Sequence, residues 1–581
     1  MSDLASFVPP PSSQAPRAFG LRMSMPASIA HNYTPLTPVA FLLRAALVCP
    51  NALAVIHAER AVQYTYAQWA ARCLSLTFAL LKTPGFTPGA RVAVISPNNP
   101  MILEAHNAIL AAGGIINPLN IRNSPAEIAY VLGHSGATII LCDSEYANLL
   151  PKNLSKDIVV VISNDSGGRD PKDPYEAYLA GGRREWEAQE RSSKKGLLGW
   201  ELITHIEDEN APAALCYTSG TTGKPKGVIT THRGSFLGAV SNAFEAGLGP
   251  TSVYAALLPY FHACGWTFPW AVTAAFATAY TMRKVDNDAI WDALLNAGVT
   301  HYAGAPTVQI GIVNHPKAKK LPRVVRVAVA ASAPTAQLLG MMESLNLVPV
   351  HVYGLTETYG PVTRRYTEPT WAAMSTEERA RLMARQGHGY LTSDEARVCR
   401  VPPEGADPQA TPLEDVARDG KEMGEIMLRG NMVMKEYYND KEATRKTFRD
   451  GWFCTGDLAV RMPGGELNIL DRGKDVIISG GENISSLMVE SEMATHPAVL
   501  ECCVVGRKHE KWAEVGHAFV VLKQGQSADM ETLKAHCRER MSKFAVPMYF
   551  DFVKELPKTS TGKVQKNVLR ARVADAPQAK L

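Results

Sequence analysis

The chain has 581 residues, more than one ordinary hydrophobic core accommodates, so at least two domains are expected. Its 60 basic and 56 acidic residues leave a net charge of +4, which argues against nucleic acid or an anionic membrane as the main partner. Ten cysteines occur without a Cys-x-x-Cys motif, which argues against a disulfide scaffold or a zinc site and favours reduced thiols.

The amino-terminal third shows alternating strands and helices. Residues 1–30 are rich in Pro and Ser and lack the features of a signal peptide, so a disordered arm is expected. A helix is predicted over 37–49, with Thr37 as its cap and Pro38 at its first position. Strand-like and helical segments then alternate, which is typical of βαβ units and a parallel sheet. Residues 164–200 are polar, charged and Gly-rich, and they predict an exposed excursion with a helical patch over 186–195.

The alternation resumes after residue 217 and changes character near residue 471, where shorter strands and helices begin. The fold class is therefore α/β: a large N-terminal domain of parallel or mixed sheets wrapped by helices, residues 1–470, and a small mobile α+β C-terminal domain, residues 471–581. The polar stretch from Asp471 to Lys474 is the expected linker. The longest apolar stretch, near residues 270–280, is too short to span a bilayer, so no transmembrane segment is expected.

The loop over residues 217–228 combines glycines, hydroxyls and two lysines. Glycines let backbone N–H groups converge into an anion-binding nest, and the hydroxyls and lysines add donors and charge, which indicates a polyphosphate site. It is not a Walker A loop, because Pro225 stands five residues after Gly220. A flexible surface loop is an equally good interpretation of this segment alone. The candidate phosphate contacts are Thr218, Ser219, Gly220, Thr221, Thr222, Gly223 and Lys226.

Three further clusters carry candidate chemistry. After a predicted strand, Tyr353 could stack on a purine, Thr356 could bond a phosphate and Glu357 could hold Mg²⁺ through oxygen; an ordinary turn is the alternative. Asp457 could accept from ribose hydroxyls or could cap a turn. His262 lies among aromatic residues, where a core histidine is the commoner outcome.

Taken together and in order, five segments resemble the adenylate-forming superfamily of acyl-CoA synthetases, luciferases and peptide-synthetase adenylation domains. These are residues 217–228, 353–358, 451–457, 471–484 and 557–563. Finer signatures are similar to the acyl-activating branch with plant peroxisomal cinnamate- and benzoate-CoA ligases and medium-chain acyl-CoA synthetases, and to fungal relatives in secondary metabolism. They span residues 119–122, 356–361, 377–387 and 474–485.

The resemblance implies an ATP-dependent acid–CoA ligase that acts on a medium-chain or aryl carboxylic acid and uses ATP, Mg²⁺ and CoA. The carboxylate and ATP would give acyl-AMP and pyrophosphate, and CoA would then give acyl-CoA and AMP. Transfer of the acyl group to a carrier-protein thiol is the first alternative. An inactive nucleotide- or acyl-binding protein is the second.

The resemblance also implies roles for residues on the nucleotide. The phosphate loop would hold the β- and γ-phosphates, Thr356 the α-phosphate and Glu357 the Mg²⁺. Asp457 and Arg472 would hold the ribose, and adenine would lie between Tyr353 and the backbone of Ala331, Ser332 and Ala333. Lys563 would bridge the substrate carboxylate and the α-phosphate.

On the acyl and CoA sides, His262 would gate the acyl pocket and Lys474 would be the hinge for the small domain. The pocket wall would contain Trp266, Gly304, Ala305, Pro306, Tyr359 and Gly360. The CoA side would contain Gly480, Gly481, Glu482 and Trp512. Ala513 departs from the pattern, because relatives usually have Gly there, and Met488 replaces a residue that is commonly acidic or polar.

The last three residues, Ala579, Lys580 and Leu581, are a close variant of the Ser-Lys-Leu peroxisomal address. They predict import into the peroxisome by its receptor. Without that signal, the chain is expected in the cytoplasm.

Overall fold

A computed structural model describes residues 4, 6–218, 224–330, 336–403, 405–480, 482–558 and 564–574. These residues form four β-sheets with helices packed on them. Two large mixed sheets and a smaller third sheet make up the N-terminal domain, and a fourth sheet makes up the smaller C-terminal domain. The predicted α/β fold class is confirmed.

The first large sheet is seven-stranded in the described part, and its central strands are parallel. Its apolar strands are buried on both faces, as the near-continuous hydrophobic runs in the sequence predict. In spatial order the strands are Glu436–Tyr437, Gly227–Thr231, Pro212–Tyr217, Ile115–Pro118, Arg91–Ile95, Ile139–Asp143 and Val159–Ser163.

The second large sheet has nine described strands, parallel at its centre and antiparallel at its two ends. In spatial order they are His388–Gly389, Gly360–Arg364, Leu347–Leu355, Val325–Val329, His301–Ala303, Val253–Ala256, Thr278–Thr281, Leu53–His57 and Val62–Thr65.

The two smaller sheets lie toward the carboxyl end of the chain. The third comprises Arg397–Cys399, Met423–Leu428, Trp452–Arg461 and Phe448–Arg449, with Leu467–Arg472 also paired to Trp452–Arg461. The fourth comprises Glu482–Ile484, Ile477–Ser479, Ala513–Leu522 and Val499–His509, with Tyr549–Phe552 paired to Ala513–Leu522.

The central helix of the N-terminal domain is Tyr66–Lys82. It begins at a capping box, in which Gln68 N donates to the Thr65 hydroxyl and Gln68 Oε1 accepts from Thr65 N. The other α-helices of the described part are Val39–Val48, Pro100–Ala111, Pro125–Ser135, Pro174–Ser192, His232–Ala246, Phe268–Ala274, Asn287–Asn296, Pro306–Val313, Ala336–Ser344, Thr376–Met383, Lys441–Thr447, Ser486–Met493, Met530–Arg538 and Lys566–Ala574. None of the helices among these residues is both long and apolar enough to cross a membrane.

The stretch 164–200 differs from the expected exposed excursion. It contains the helix Pro174–Ser192, which packs on Tyr66–Lys82, and Trp186 and Trp200 are fully buried. Its charge is used internally, because Arg72 donates to both carboxylate oxygens of Glu176, at 3.0 and 2.7 Å. A polar segment is therefore part of the hydrophobic core, because an ion pair with a residue distant in sequence satisfies its buried charge.

The amino-terminal arm also differs from the expectation of disorder. In its described part Ser12 and Ser13 are buried, and the Ser13 hydroxyl accepts from Arg72 Nη1 at 3.2 Å. Phe7 and Phe19 pack against the main core. The predicted Thr37 cap is wrong as well: the helix starts at Val39 without a side-chain cap, and Thr37 instead bonds His232 Nδ1 at 3.1 Å.

Candidate active site

A buried carboxylate lies at a bend of the third sheet. Asp457 is only 4% exposed, and its backbone N–H donates to the Thr455 hydroxyl at 3.1 Å. The Tyr353 hydroxyl donates to Asp457 Oδ2 at 2.7 Å. Arg472 Nε lies 3.3 Å from the other carboxylate oxygen, because Arg472 pairs with Asp457 across adjacent antiparallel strands. Three predicted nucleotide residues therefore meet in one hydrogen-bonded cluster.

Burial and the negative charge of Asp457 raise the pKa of Tyr353 well above its ordinary value. The phenol is therefore protonated at neutral pH and acts as a donor to Asp457. The sequence predicts Tyr353 as a purine-stacking residue, and the structure shows in addition that its hydroxyl orients the candidate ribose carboxylate.

A second cluster forms around Glu357, four residues further along. The Tyr437 hydroxyl donates to Glu357 Oε1 at 2.8 Å, and Lys226 Nζ lies 4.6 Å from the centre of the Tyr437 ring. Burial and the charge of Glu357 raise the pKa of Tyr437, so it too stays protonated. Pairing of Glu436–Tyr437 with Gly227–Thr231 puts Tyr437 beside the phosphate loop.

The described edges of the predicted phosphate loop are closed by hydrogen bonds. Thr218 N donates to Lys226 O at 3.0 Å, and Lys226 N donates to the Thr218 hydroxyl at 3.2 Å. The central loop residues lie outside the described part of the chain: Ser219, Gly220, Thr221, Thr222 and Gly223. The same holds for Ala331, Ser332, Ala333, Gly481 and Lys563, and for the tail Ala579, Lys580 and Leu581.

The segment from Thr356 to Gly360 connects the second cluster, at Glu357, to the predicted acyl wall, at Tyr359 and Gly360. Thr356–Thr358 forms a single 3₁₀ turn after the strand Leu347–Leu355. Met434 N donates to the Glu357 carbonyl at 2.7 Å, which fixes this turn against the chain leading to Tyr437. Tyr359 follows at φ 57° and is fully buried.

The predicted acyl wall brings Trp266 against Gly360. Gly360 has φ +117°, and a Cβ added there would lie 2.9 Å from Trp266 Cβ, so only glycine allows this approach. Trp266 belongs to the segment His262–Thr267, in which His262 N donates to Pro259 O at 3.0 Å. Asn242 Nδ2 holds the Trp266 carbonyl at 2.8 Å.

Three other wall residues, Gly304, Ala305 and Pro306, follow one strand of the same sheet, His301–Ala303. Gly304 follows the strand His301–Ala303, and its N–H donates to Ala328 O at 3.0 Å. Ala305 precedes the helix that starts at Pro306. These residues lie at the carboxyl ends of parallel strands, where open α/β sheets bind ligands.

The predicted hinge is a turn bonded to the third sheet. Gly473 N donates to Gly456 O at 3.0 Å, next to Asp457. Burial and the neighbouring cations Arg472 and Arg570 lower the pKa of Lys474. Asp471 Oδ2 accepts from Ser486 N at 2.7 Å, so the linker is anchored on the small domain as well.

On the small domain, Gly480 and Trp512 are in contact. Gly480 N donates to the Trp512 carbonyl at 2.8 Å, and a Cβ added at Gly480 would lie 2.8 Å from the indole ring. The Trp512 side chain is exposed, with Lys511 Nζ 4.7 Å from its ring centre, and Glu482 is exposed as well. Among the described residues on either side of Lys563, Gln565 N donates to Pro557 O at 2.8 Å.

Sequence reasoning missed Tyr437. Only its tertiary position makes it significant, because it bonds Glu357 and lies under Lys226. A signal was available in the aromatic pair Tyr437-Tyr438 that follows Lys435 and Glu436, a pattern typical of a short edge strand.

Comparison with known proteins gives the class. The AMP-binding enzyme family matches residues 42–438, and the AMP-binding enzyme C-terminal domain matches residues 488–563. The chain belongs to the AMP-binding enzyme family. It is an AMP-forming acid–CoA ligase that uses ATP, Mg²⁺ and CoA.

Among similar proteins, acetate–CoA ligase CCL3 of Humulus lupulus is 40% identical over 576 residues, covering 94% of this chain and 96% of that protein. Peroxisomal acetate/butyrate–CoA ligase AAE7 of Arabidopsis thaliana is 39% identical over 565 residues, covering 94% and 96%. Peroxisomal trans-cinnamate:CoA ligase of Petunia hybrida is 34% identical over 552 residues, covering 93% and 94%.

Solved structures agree with the fold. ATP-bound MatB from Rhodopseudomonas palustris has a TM-score of 0.76 and 25% identity, covering 92% of this chain and 99% of that chain. o-Succinylbenzoate CoA synthetase (MenE) from Bacillus subtilis, in complex with the acyl-adenylate intermediate OSB-AMP, has a TM-score of 0.72 and 25% identity, covering 93% and 99%.

Proposed function

We propose that the segment 353–357 is the centre of the adenylating site of this ligase. The observation that supports it is that this one segment contacts both clusters: Tyr353 bonds Asp457, and Glu357 bonds Tyr437 beside Lys226. Asp457 would accept from the ribose hydroxyls, with Arg472 beside it. The phosphate loop, residues 218–223 with Lys226, would hold the leaving pyrophosphate.

The side chains of this protein would accelerate the reaction mainly by positioning the reactants and by stabilising charge, as is usual when a nucleophile attacks phosphorus. Thr356 would bond the α-phosphate. Lys563 would offset the charge where the carboxylate and the α-phosphate meet. Glu357 offers the hard carboxylate oxygen that Mg²⁺ prefers, and a bound Mg²⁺ would neutralise phosphate charge.

We propose that the small domain turns about Lys474 between the two half-reactions. Lys563 would serve adenylation, and the face with Gly480, Gly481, Glu482 and Trp512 would serve thioester formation. An exposed indole with a lysine over it suits the nucleotide end of free CoA. Assays with CoA and with a carrier-protein thiol should favour CoA; a preference for the carrier would contradict this acceptor.

We propose that the acid is an aliphatic or aryl monocarboxylic acid whose size is limited by Trp266. The relatives are named for acetate, butyrate and cinnamate, and in this chain the Trp266 side chain fills the space over Gly360. His262, Gly304, Ala305, Pro306 and Tyr359 would form the rest of the gate and wall.

Acid-dependent AMP release across a panel from acetate to cinnamate tests this site. Wild type should show one best acid, and Trp266→Ala should shift the preference to larger acids by roughly tenfold, about 1.4 kcal/mol. An unchanged ranking in Trp266→Ala would contradict its place in the wall. If no acid of the panel drove ATP–pyrophosphate exchange, the inactive-binder alternative would be favoured.

We also propose that Ala579, Lys580 and Leu581 direct the chain to peroxisomes through the import receptor. Several relatives are named peroxisomal. A fluorescent fusion should become diffuse when the three residues are deleted; unchanged punctate localisation would contradict the proposal.

A further inference from the structure

Two buried cysteines meet between the phosphate loop and the predicted acyl gate. The Sγ atoms of Cys216 and Cys264 are 2.9 Å apart, and neither residue is exposed to solvent. Cys216 is the penultimate residue of the strand Pro212–Tyr217, two residues before Thr218. Cys264 lies midway between His262 and Trp266.

An imidazole lies beside Cys264. His106 Nδ1 lies 2.7 Å from the Ile102 carbonyl, which can only accept, so Nδ1 is the donor in this bond. His106 Nε2 and the Tyr359 hydroxyl are buried and have no hydrogen-bond partner within the usual geometric limits among the described residues. Burial raises the pKa of Cys264, but the neighbouring Cys216 thiol and His106 imidazole outweigh burial and lower it. Cys264 is therefore the more nucleophilic thiol of the pair.

The backbone around Cys264 is strained. Ala263, Cys264, Trp266 and Thr267 all have φ between 40° and 60°. The left-handed conformation costs about 1–2 kcal/mol for each such residue. Asn242 Nδ2 offsets part of this cost by bonding the Trp266 carbonyl and the Thr267 hydroxyl, at 2.8 and 2.9 Å. Strain of this kind lowers the free energy of local opening of the segment, and such opening would give a small oxidant access to Cys264.

We propose that Cys216 and Cys264 form a reversible disulfide when the enzyme meets a hydroperoxide, and that this bond arrests adenylation. The Cys264 thiolate attacks one peroxide oxygen, the O–O bond breaks, and hydroxide leaves and takes up a proton, giving a sulfenic acid. Cys216 then attacks the sulfenic sulfur, and the S–S bond forms as water leaves. Two thiols are oxidised and one hydrogen peroxide is reduced to two waters.

The bond would hold the gate segment His262–Thr267 against the strand that enters the phosphate loop. Its effect on activity rests on the proposed function, because it assumes that both segments border the reacting groups. A fixed displacement of such groups by about 1 Å is enough to slow a reaction roughly 10²-fold.

The full-length reduced enzyme is treated with hydrogen peroxide, blocked with N-ethylmaleimide and digested for mass spectrometry. We expect a linked pair of peptides containing Cys216 and Cys264. ATP–pyrophosphate exchange should fall roughly 10²-fold in parallel and recover with dithiothreitol. Mass spectrometry reads the bond without any activity, so a failure of the proposed function would leave that result intact.

The variants Cys216→Ser and Cys264→Ser should each keep their own untreated exchange rate after peroxide, while the control Cys49→Ser should respond like wild type. If a serine variant does not fold, Cys216→Ala and Cys264→Ala replace them. Absence of the linked peptides, an unchanged exchange rate in oxidised wild type, or equal loss in both single variants would each overturn the proposal.

Discussion

At the scale of single residues, the proposed adenylating site contains two phenols that donate to carboxylates. Tyr353 donates to Asp457 and Tyr437 donates to Glu357, and burial keeps both phenols protonated. A hydrogen bond to a charged group contributes about 1.5–3 kcal/mol. Removing either hydroxyl should therefore leave the carboxylate charge in place but remove the hydrogen bond that orients it.

Tyr353→Phe should weaken ATP binding by roughly tenfold or more, because Asp457 loses the donor that orients it. The measurement is the KM for ATP in the acid-dependent exchange reaction. Tyr280→Phe is the matched control, since Tyr280 lies on a strand four positions away in the same sheet. Equal effects of the two substitutions would contradict the role of Tyr353.

Tyr437→Phe should lower kcat by roughly tenfold and raise the Mg²⁺ concentration needed for half-maximal rate, because Glu357 becomes less well oriented. The neighbouring Tyr438 packs on His134, with ring centres 5.7 Å apart, so Tyr438→Phe is the control. A Mg²⁺ titration that is the same for Tyr437→Phe and wild type would show that Glu357 does not depend on this bond.

At the scale of elements, one residue of the small domain is in an unfavourable conformation. Ala513 has φ 64° at the start of the strand Ala513–Leu522, in the left-handed region that favours glycine. It is also the position at which the family resemblance leads us to expect Gly. Alanine in place of glycine at this position therefore strains the backbone, and it neither adds nor removes a hydrogen-bonding side chain.

Ala513→Gly should raise the free energy of unfolding of the small domain by about 0.5–1 kcal/mol, because relief of strain exceeds the extra chain entropy. Urea unfolding measures it. The control Ala518→Gly, on the same strand but fully buried, should lower stability by about 1 kcal/mol or more. A lower unfolding midpoint in Ala513→Gly would contradict the assignment of strain.

The elements that local pattern predicted well are the regular ones. Strands such as Arg91–Ile95 and helices such as Pro100–Ala111 follow from apolar periodicity, and the structure adds that Asn99 caps that helix. The burial and full length of the helix Pro174–Ser192 were missed, because that burial depends on Arg72 and Glu104, which lie about 70 to 100 residues away in sequence. A prediction from neighbouring residues in the sequence cannot include partners that lie so far away.

The residues of the candidate site could also be predicted only in part from the sequence. Asp457, Tyr353 and Arg472 were each named from motifs, but only the structure shows that they bond one another. Tyr437 and the meeting of Cys216 with Cys264 arise from strand pairing and backbone conformation, which residue spacing does not encode.

At the scale of the whole molecule, the proposed mechanism uses both domains at one acyl site. The hinge turn is bonded to the third sheet at Gly456 and to the small domain at Ser486, so it connects both bodies through short contacts. In sequence, Lys563 is the last residue matched by the C-terminal domain family, whereas Tyr353 falls within the match to the AMP-binding enzyme family. Adenylation should therefore depend on Lys563, and thioester formation should not.

The most direct measurement separates the two half-reactions in Lys563→Ala. ATP–pyrophosphate exchange should fall roughly 10²- to 10³-fold, because a cation at the reacting centre is lost. Conversion of added acyl-AMP and CoA to thioester should stay near the wild-type rate, and the exposed control Lys554→Ala should leave both rates unchanged. Equal loss of both half-reactions in Lys563→Ala would contradict the account.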